Sequence, residues 1–289
     1  MIKSLQELSR KFPLITDGAW GTQLQNLGLS PGDCPDSWNL SFPEKVEQVA
    51  RSYVEAGSQV ILTNTFRSNR ITLAEYGLAE KTIELNRRGV EISRKAVAEK
   101  AYVFASIGPS GKMLLTGEVD EVSLQKAFSE QAEALAGGGA DALLIETMSD
   151  LNEALIALKA AKTTGLPVVV SMVFDSGKNK DFTMMGETPE RVVKVLSMAG
   201  ADAVGANCGQ GIEGFLSICS RLKNSSNLPI WIKPNAGLPE YINGKTVYRT
   251  TPEQFVQHVP GLIKAGADFI GGCCGSSPDF IREMVKVLK

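Results

Sequence analysis

Short apolar runs rich in Val and Ile alternate along the whole chain with longer segments whose apolar residues recur at helical spacing. The short runs predict strands over Leu14–Ala19, Val60–Asn64, Val103–Ile107, Ala142–Thr147, Val168–Phe174, Ala203–Cys208, Ile230–Asn235 and Phe269–Cys274. Between them lie helices with ordinary signals. Leu124, Phe128 and Leu135 form one stripe, with Asp120 as its N-cap and Gly137-Gly138-Gly139 as its stop. Thr251-Pro252-Glu253 opens a last long helix that Pro260 should kink or shorten. At the start, Ile2, Leu5, Leu8 and Phe12 are interleaved with Lys3, Glu7, Arg10 and Lys11, which predicts a short surface helix instead of a signal peptide. Strand–helix units repeated in this way predict an α/β fold, a (β/α)8 TIM barrel forming a single domain over residues 1–289.

An internal echo supports the barrel more strongly than the strand count. Gly57-Ser-Gln-Val-Ile-Leu-Thr-Asn64, Gly139-Ala-Asp-Ala-Leu-Leu-Ile-Glu146, Gly200-Ala-Asp-Ala-Val-Gly-Ala-Asn207 and Gly266-Ala-Asp-Phe-Ile-Gly-Gly-Cys273 are one phrase stated four times, on the even strands. Alternate strands of such a barrel place residues of equal offset at similar heights. One step past the phrase come Thr65, Thr147, Cys208 and Cys274, all predicted at the C-terminal rim where barrel active sites form.

Composition adds exclusions. A net charge of -2 with no Lys/Arg run offers no surface for a phosphate backbone or an anionic membrane, and no apolar run is long enough for a membrane span. Nucleic-acid and membrane partners are therefore not expected. Five cysteines without an export signal point to a reducing, cytoplasmic setting in which thiols stay reduced or bind metal.

The chemistry gathers at Gly271-Gly272-Cys273-Cys274-Gly275. Adjacent thiols there are half of a metal shell; a pair of core thiols and a vicinal disulfide are the plain alternatives. Cys208 shares the register of Cys274 and supplies a third ligand, while Cys273 can join only if the glycines let the backbone turn. Three thiolates on Zn2+ leave one position open, the mark of a catalytic site. Such an electron-rich shell generates hydroxide poorly and is better suited to holding a substrate thiol as its thiolate, a nucleophile. Cys34, in a polar loop, and Cys219, in a helical stripe, are read as structural. His258 is the only histidine and is read as a surface or satisfied core residue, which removes histidine-dependent triads.

The stretches Asp17-Gly-Ala-Trp-Gly-Thr22, Leu62-Thr-Asn-Thr-Phe66, Ile107-Gly-Pro109, Glu146-Thr147, Gly205-Ala-Asn-Cys208, Pro234-Asn-Ala-Gly237 and Gly271-Gly-Cys-Cys-Gly275 resemble, in order and over nearly the whole chain, the homocysteine S-methyltransferase family. The likeness is greatest to the N-terminal homocysteine module of the cobalamin-dependent methionine synthases. The resemblance implies a (β/α)8 barrel, zinc on Cys208, Cys273 and Cys274, L-homocysteine as substrate and methionine as product. For the amino-acid part, backbone N–H groups of Gly18, Ala19 and Trp20 are expected to receive the carboxylate. Asp17 and Glu146 are expected to pair with the ammonium; their plain alternatives are an N-cap and a buried hydrogen-bonded carboxylate. Asn64, Thr65, Asn207 and Asn235 fall on the same rim. The resemblance implies a further role for Asn235 as a zinc ligand in the free enzyme, with a strand-end turn as the alternative.

No cobalamin- or folate-binding module is recognisable, so a separate corrinoid protein carrying methylcobalamin is the expected donor. A small donor such as S-methylmethionine or a betaine is the alternative, and a non-catalytic zinc- or thiol-binding module is the alternative from another class. Gly209-Gln-Gly211-Ile-Glu-Gly214 matches a dinucleotide fingerprint in form but lacks the confirming acid, none occurring between Asn224 and Pro239. Tyr241–Tyr248 predicts a hairpin with an Asn-Gly turn above the rim, either a lid or docking surface or a plain ordered loop. The polar segment 175–187 is expected to overhang the rim after the fifth strand.

Overall fold

The computed structural model describes residues 4–9, 13–242 and 245–288. Its strands are β1 (Leu14–Ile15), β2 (Val60–Ile61), β3 (Tyr102–Ile107), β4 (Ala142–Met148), β5 (Val168–Met172), β6 (Ala203–Gly211), β7 (Ile230–Asn235), β8 (Glu240–Ile242), β9 (Lys245–Val247) and β10 (Phe269–Ile270). Eight of these pair in parallel in the order β1-β10-β7-β6-β5-β4-β3-β2, and a bridge between Thr16 and Val60 brings β1 back to β2. Helices surround this nearly closed barrel, as the alternation of runs predicts. β8 and β9 form the expected antiparallel hairpin; its Asn243-Gly244 turn lies outside the described residues. The N-terminal helix is described over Leu5–Ser9, and residues 2, 3 and 10–12 of the predicted Ile2–Phe12 segment lie outside the described residues.

The repeated phrase has a backbone counterpart. Gly57, Gly139, Gly200 and Gly266 all have left-handed φ, at 107°, 92°, 90° and 102°, a conformation that glycine adopts without steric penalty as a helix gives way to the next strand. The phrase's third side chain then accepts an N–H from the first or second residue of the preceding barrel strand. Gln59 takes Ile15 N–H at 3.1 Å, Asp141 takes Val103 at 2.8 Å, Asp202 takes Val168 at 2.8 Å and Asp268 takes Ile230 at 2.9 Å. The echo thus encodes a clip that fastens each even strand to its odd neighbour.

Because the strands are covered on both faces, they read as continuous apolar runs. One set of alternate residues, including Leu14, Leu62, Phe104, Leu144, Trp231 and Phe269, packs as a core within the barrel, and Leu5 joins it. The Phe104, Trp231 and Phe269 rings lie 5.4 to 6.1 Å apart at their centroids. The other set packs outward against the helices. Two residues further along, the inward set turns polar at Ser106, Glu146, Ser171 and Lys233, and on β6 at Asn207 beyond Gly205, all of them buried. The aromatic layer is therefore the floor of a polar chamber that opens at the C-terminal rim.

β1, β2 and β10 contribute only two regular residues each, where the apolar runs predicted strands reaching Ala19, Asn64 and Cys274. Beyond β2 the ladder gives way because the Leu62 N–H donates to the Asp17 side chain, Oδ2 at 2.8 Å; beyond β10 the N–H groups of Gly272 and Cys273 still reach neighbouring backbone carbonyls, Asp17 O at 3.1 Å and Pro234 O at 2.6 Å, before the chain turns at Gly275. The last long helix divides into Pro252–Val256 and Val259–Lys264, with His258 at the break and Pro260 in the first turn of the second piece. No helix among the described residues is long and apolar enough to cross a membrane.

Candidate active site

Cys208, Cys273 and Cys274 come together at the rim, their sulfur atoms all within 4.8 Å of one another. All five cysteines are free thiols, so no vicinal disulfide forms. The register expectation is corrected in one respect. Cys273 continues the inward alternation of Phe269 and Gly271, whereas Cys208 follows the inward Asn207 and would face away on a regular strand. Cys208 is turned by its own left-handed backbone, φ 62°, and Thr147, at the same offset of the repeated phrase, has φ 63°. The pair's turn lies at Gly275, φ 81°, so Cys208 and Cys274 depend on special backbone and Cys273 does not. Space is equally restrictive. A Cβ on Gly272 would meet Ser276 Oγ at 2.4 Å, and one on Gly275 would meet the Tyr248 ring at 2.1 Å.

The three sulfurs hold negative charge unequally. Hydrogen bonds from Cys273 and Cys274 pull the Cys208 thiol down to about 3, and that shared charge, with burial, raises Cys273 and pushes Cys274 up to about 12. One thiolate is accommodated readily; holding all three charged calls for a cation. The donor set fits such a cation. Soft thiolates suit zinc, whose tetrahedral shell with bonds of ~2.3 Å sets sulfurs about 3.8 Å apart, within the 4.8 Å that bounds this cluster. The buried Asn235 Oδ1 has no hydrogen-bond partner, and the Asn235 side chain bonds to Cys208. Asn235 thus adjoins the cluster and keeps one neutral oxygen unpartnered.

The cluster opens into a cavity of about 420 Å³ lined also by Trp20, Asn64, Glu146 and Lys233. Glu146 is buried and accepts from Ser106 Oγ at 2.5 Å. Burial raises its pKa, opposed by the Lys233 charge and the Ser106 hydrogen bond. Asp17 is 0% exposed and fully engaged: Oδ1 meets Lys233 Nζ at 2.5 Å, and Oδ2 accepts from Leu62 N–H and from Trp20 Nε1 at 2.7 Å. Gly18 and Ala19 line the cavity, but the Ala19 N–H already donates to Ser276 Oγ at 3.1 Å. Gly18 admits no side chain, since a Cβ would lie 2.7 Å from the Tyr53 hydroxyl.

Asn207 is fully buried and braces the turn beside Glu146, accepting Thr147 N–H at 2.9 Å and donating to Thr147 Oγ1 at 2.7 Å. Thr65 is likewise buried, donating to Ser106 O at 2.7 Å, and Asn64 donates to Pro35 O at 2.8 Å and to Asn39. Cys34 and Cys219 sit in apolar surroundings that push their thiols up, to about 11 and about 12, as structural cysteines. His258 is on the surface. The 209–214 stretch prolongs β6 and enters a short 3-10 turn, where Gln210 Nε2 donates to Lys180 O at 3.0 Å and fastens the 175–187 segment. Tyr248, just past the hairpin, hydrogen-bonds to Cys274, and burial raises its pKa. Lys233 was not anticipated. Its signal was present, since it lies two residues beyond the inward Trp231 on a strand buried on both faces.

Fold and site together define a parallel α/β barrel with a three-thiol cluster at its C-terminal rim and a buried acid–base chamber beneath. A model of the homocysteine S-methyltransferase family matches residues 14–288, and the chain belongs to that family. It is 31% identical over 290 aligned residues to methionine synthase of Mycobacterium leprae and 30% identical to that of Mycobacterium tuberculosis. Both alignments cover 94% of this chain but 24% of the relative, so the chain spans about a quarter of the length of these curated relatives. Among solved structures, the metallated form of the Escherichia coli homocysteine methyltransferase MmuM superposes with a TM-score of 0.82 at 25% identity, covering 97% of this chain and 98% of that one.

Proposed function

We propose that this chain is a cytoplasmic enzyme that transfers a methyl group to the thiol of L-homocysteine to give methionine. The observation that carries the reading is the convergence of three cysteine sulfurs, within 4.8 Å of one another, on a chamber that also presents Glu146. Cys208, Cys273 and Cys274 would hold zinc, with Asn235 Oδ1 as the further donor in the free enzyme. Zinc, when bound, lowers the pKa of a substrate thiol so that it is presented as a nucleophilic thiolate. Glu146 takes the ammonium. Asp17, whose oxygens are already engaged, serves recognition by fixing the Trp20 indole and Lys233 at the chamber wall. The carboxylate is left to the Gly18–Trp20 side of the cavity. The chamber floor is closed by the aromatic layer, so the methyl donor must arrive from the open rim.

The donor in this reading is methylcobalamin on a separate corrinoid protein, supported by the identity with two methionine synthases over the barrel alone. A small sulfonium or betaine donor is the second reading, favoured by the similarity to MmuM over that protein's whole length. Incubating the protein and homocysteine with a methylated corrinoid protein, S-methylmethionine or betaine, and measuring methionine by mass spectrometry, separates the two. Methionine from S-methylmethionine but not from the corrinoid would overturn the first. A Cys208→Ser protein that retains full zinc content and activity would overturn the cluster's role.

A further inference from the structure

Lys233 is only 2% exposed, yet it is one of the groups lining the cavity. Its ammonium carries three protons. One goes to Asp17 Oδ1 at 2.5 Å, and among the described residues no acceptor takes the other two. Its charge is paired with the Asp17 carboxylate, both side chains being buried. Glu146 does not bond to it; that acid is held by Ser106 instead. The chamber therefore holds a fixed cation and a fixed anion side by side, each with bonding capacity unspent. Arg67, the other cation lining the cavity, is exposed at the mouth and donates to the Tyr76 hydroxyl at 2.7 Å.

Burying a lysine to neutralise one aspartate is a poor way to stabilise a barrel, since desolvating the two ions roughly cancels their attraction and an apolar pair is often as good. Free donors aimed into a cavity are what a ligand acceptor needs. Without Lys233, Asp17 and Glu146 would present two carboxylates and repel an anionic group. With it, the wall matches a zwitterion.

We propose that Lys233 is a specificity-determining residue that receives the α-carboxylate of the thiol substrate on its two unused N–H donors, while Glu146 holds the ammonium. Lys233 and the Trp20 indole are held on the same wall of the chamber, one on each oxygen of Asp17. This deepens the homocysteine reading and rests on it.

The test is isothermal titration calorimetry of the protein as purified, its metal content measured, with homocysteine, 4-sulfanylbutanoate (no ammonium) and 3-aminopropane-1-thiol (no carboxylate). Lys233→Met should weaken the two carboxylate-bearing thiols by about 10- to 100-fold, as expected for loss of a charge-assisted hydrogen bond, and leave 3-aminopropane-1-thiol within about 2-fold. Because Lys233→Met strands the Asp17 charge, the Asp17→Asn/Lys233→Met double variant is measured beside it and should show the same ligand pattern. Equal weakening of all three thiols in both variants would assign Lys233 a merely structural role and overturn the proposal, as would undiminished binding of 4-sulfanylbutanoate. Wild-type protein that binds none of the three would overturn the homocysteine reading itself.

Discussion

Replacing Gly275 with alanine perturbs the cysteine cluster without touching a sulfur. Gly275 has φ 81°, where a side chain adds about 1–2 kcal/mol of strain. The new Cβ would stand 2.1 Å from Cγ and 2.5 Å from Cδ2 of Tyr248, so the ring must move. Overpacking of this kind costs about 1–3 kcal/mol. The combined strain of about 2–5 kcal/mol has two outlets, namely displacement of Tyr248 and a shift of the turn carrying Cys274, and both disturb the cluster, since Tyr248 bonds to Cys274. Even the lower figure, relieved in the metal-free protein, lowers zinc affinity about 30-fold. Competition with a chromophoric chelator measures that affinity, and thermal melting followed by circular dichroism measures the strain. Gly261→Ala is the control, because its Cβ meets only Leu216 at an ordinary 3.7 Å. Wild-type zinc affinity and melting temperature in Gly275→Ala would refute the claim that this backbone positions the thiols.

Glu146→Gln should weaken homocysteine by about 10- to 100-fold while zinc content stays at the wild-type level, because it removes the charge that meets the ammonium and leaves every ligand in place; calorimetry showing unchanged affinity would remove Glu146 from recognition. Burial pushes the buried Asp36 carboxyl from an ordinary 3.8 to about 6, so its protonated form is favoured in the fold, and its contribution to stability, complete below pH 3.8, is lost as pH rises through 6. Both bonds it accepts, from Ser68 Oγ at 2.6 Å and Arg67 N–H at 3.0 Å, fall on one oxygen that an amide can replace. Asp36→Asn should therefore be more stable than wild type by about 2–3 kcal/mol at pH 7 and nearly equal at pH 4 in urea unfolding; the same difference at both pH values would show that the charge is not the cause.

The barrel was legible because its signals are local. Each repeat glycine marks a left-handed step after a helix, and each following Asp or Gln marks a clip to the previous strand, so four similar phrases announced four similar corners. The cysteine constellation was legible by the same register. What the register missed was the backbone at Cys208, since a residue one step past an inward asparagine returns inward only by adopting φ 62°, and a cysteine at that position does not advertise it. The ends of β2 and β10 were overextended because apolar composition cannot show that Leu62 donates to the Asp17 side chain or that the backbone past Cys274 turns at Gly275. Lys233 escaped for a different reason. Its partner lies 216 residues away, and a lysine beside Pro234 and Asn235 at a strand end looks like rim until the inward alternation is traced to Trp231.

Asp17 has a place in the architecture beyond the chamber. It sits where three two-residue strands meet, and its side chain and carbonyl bind Leu62 beyond β2, Lys233 of β7 and Gly272 beyond β10. The weakest seam of the barrel is thus stitched by the same atoms that shape the ligand wall. Opening the seam and emptying the chamber become one motion, and any occupant that engages Lys233 and Glu146 locks the staves of the barrel together, slowing amide exchange at Leu62 and Gly272 while the far wall exchanges as before.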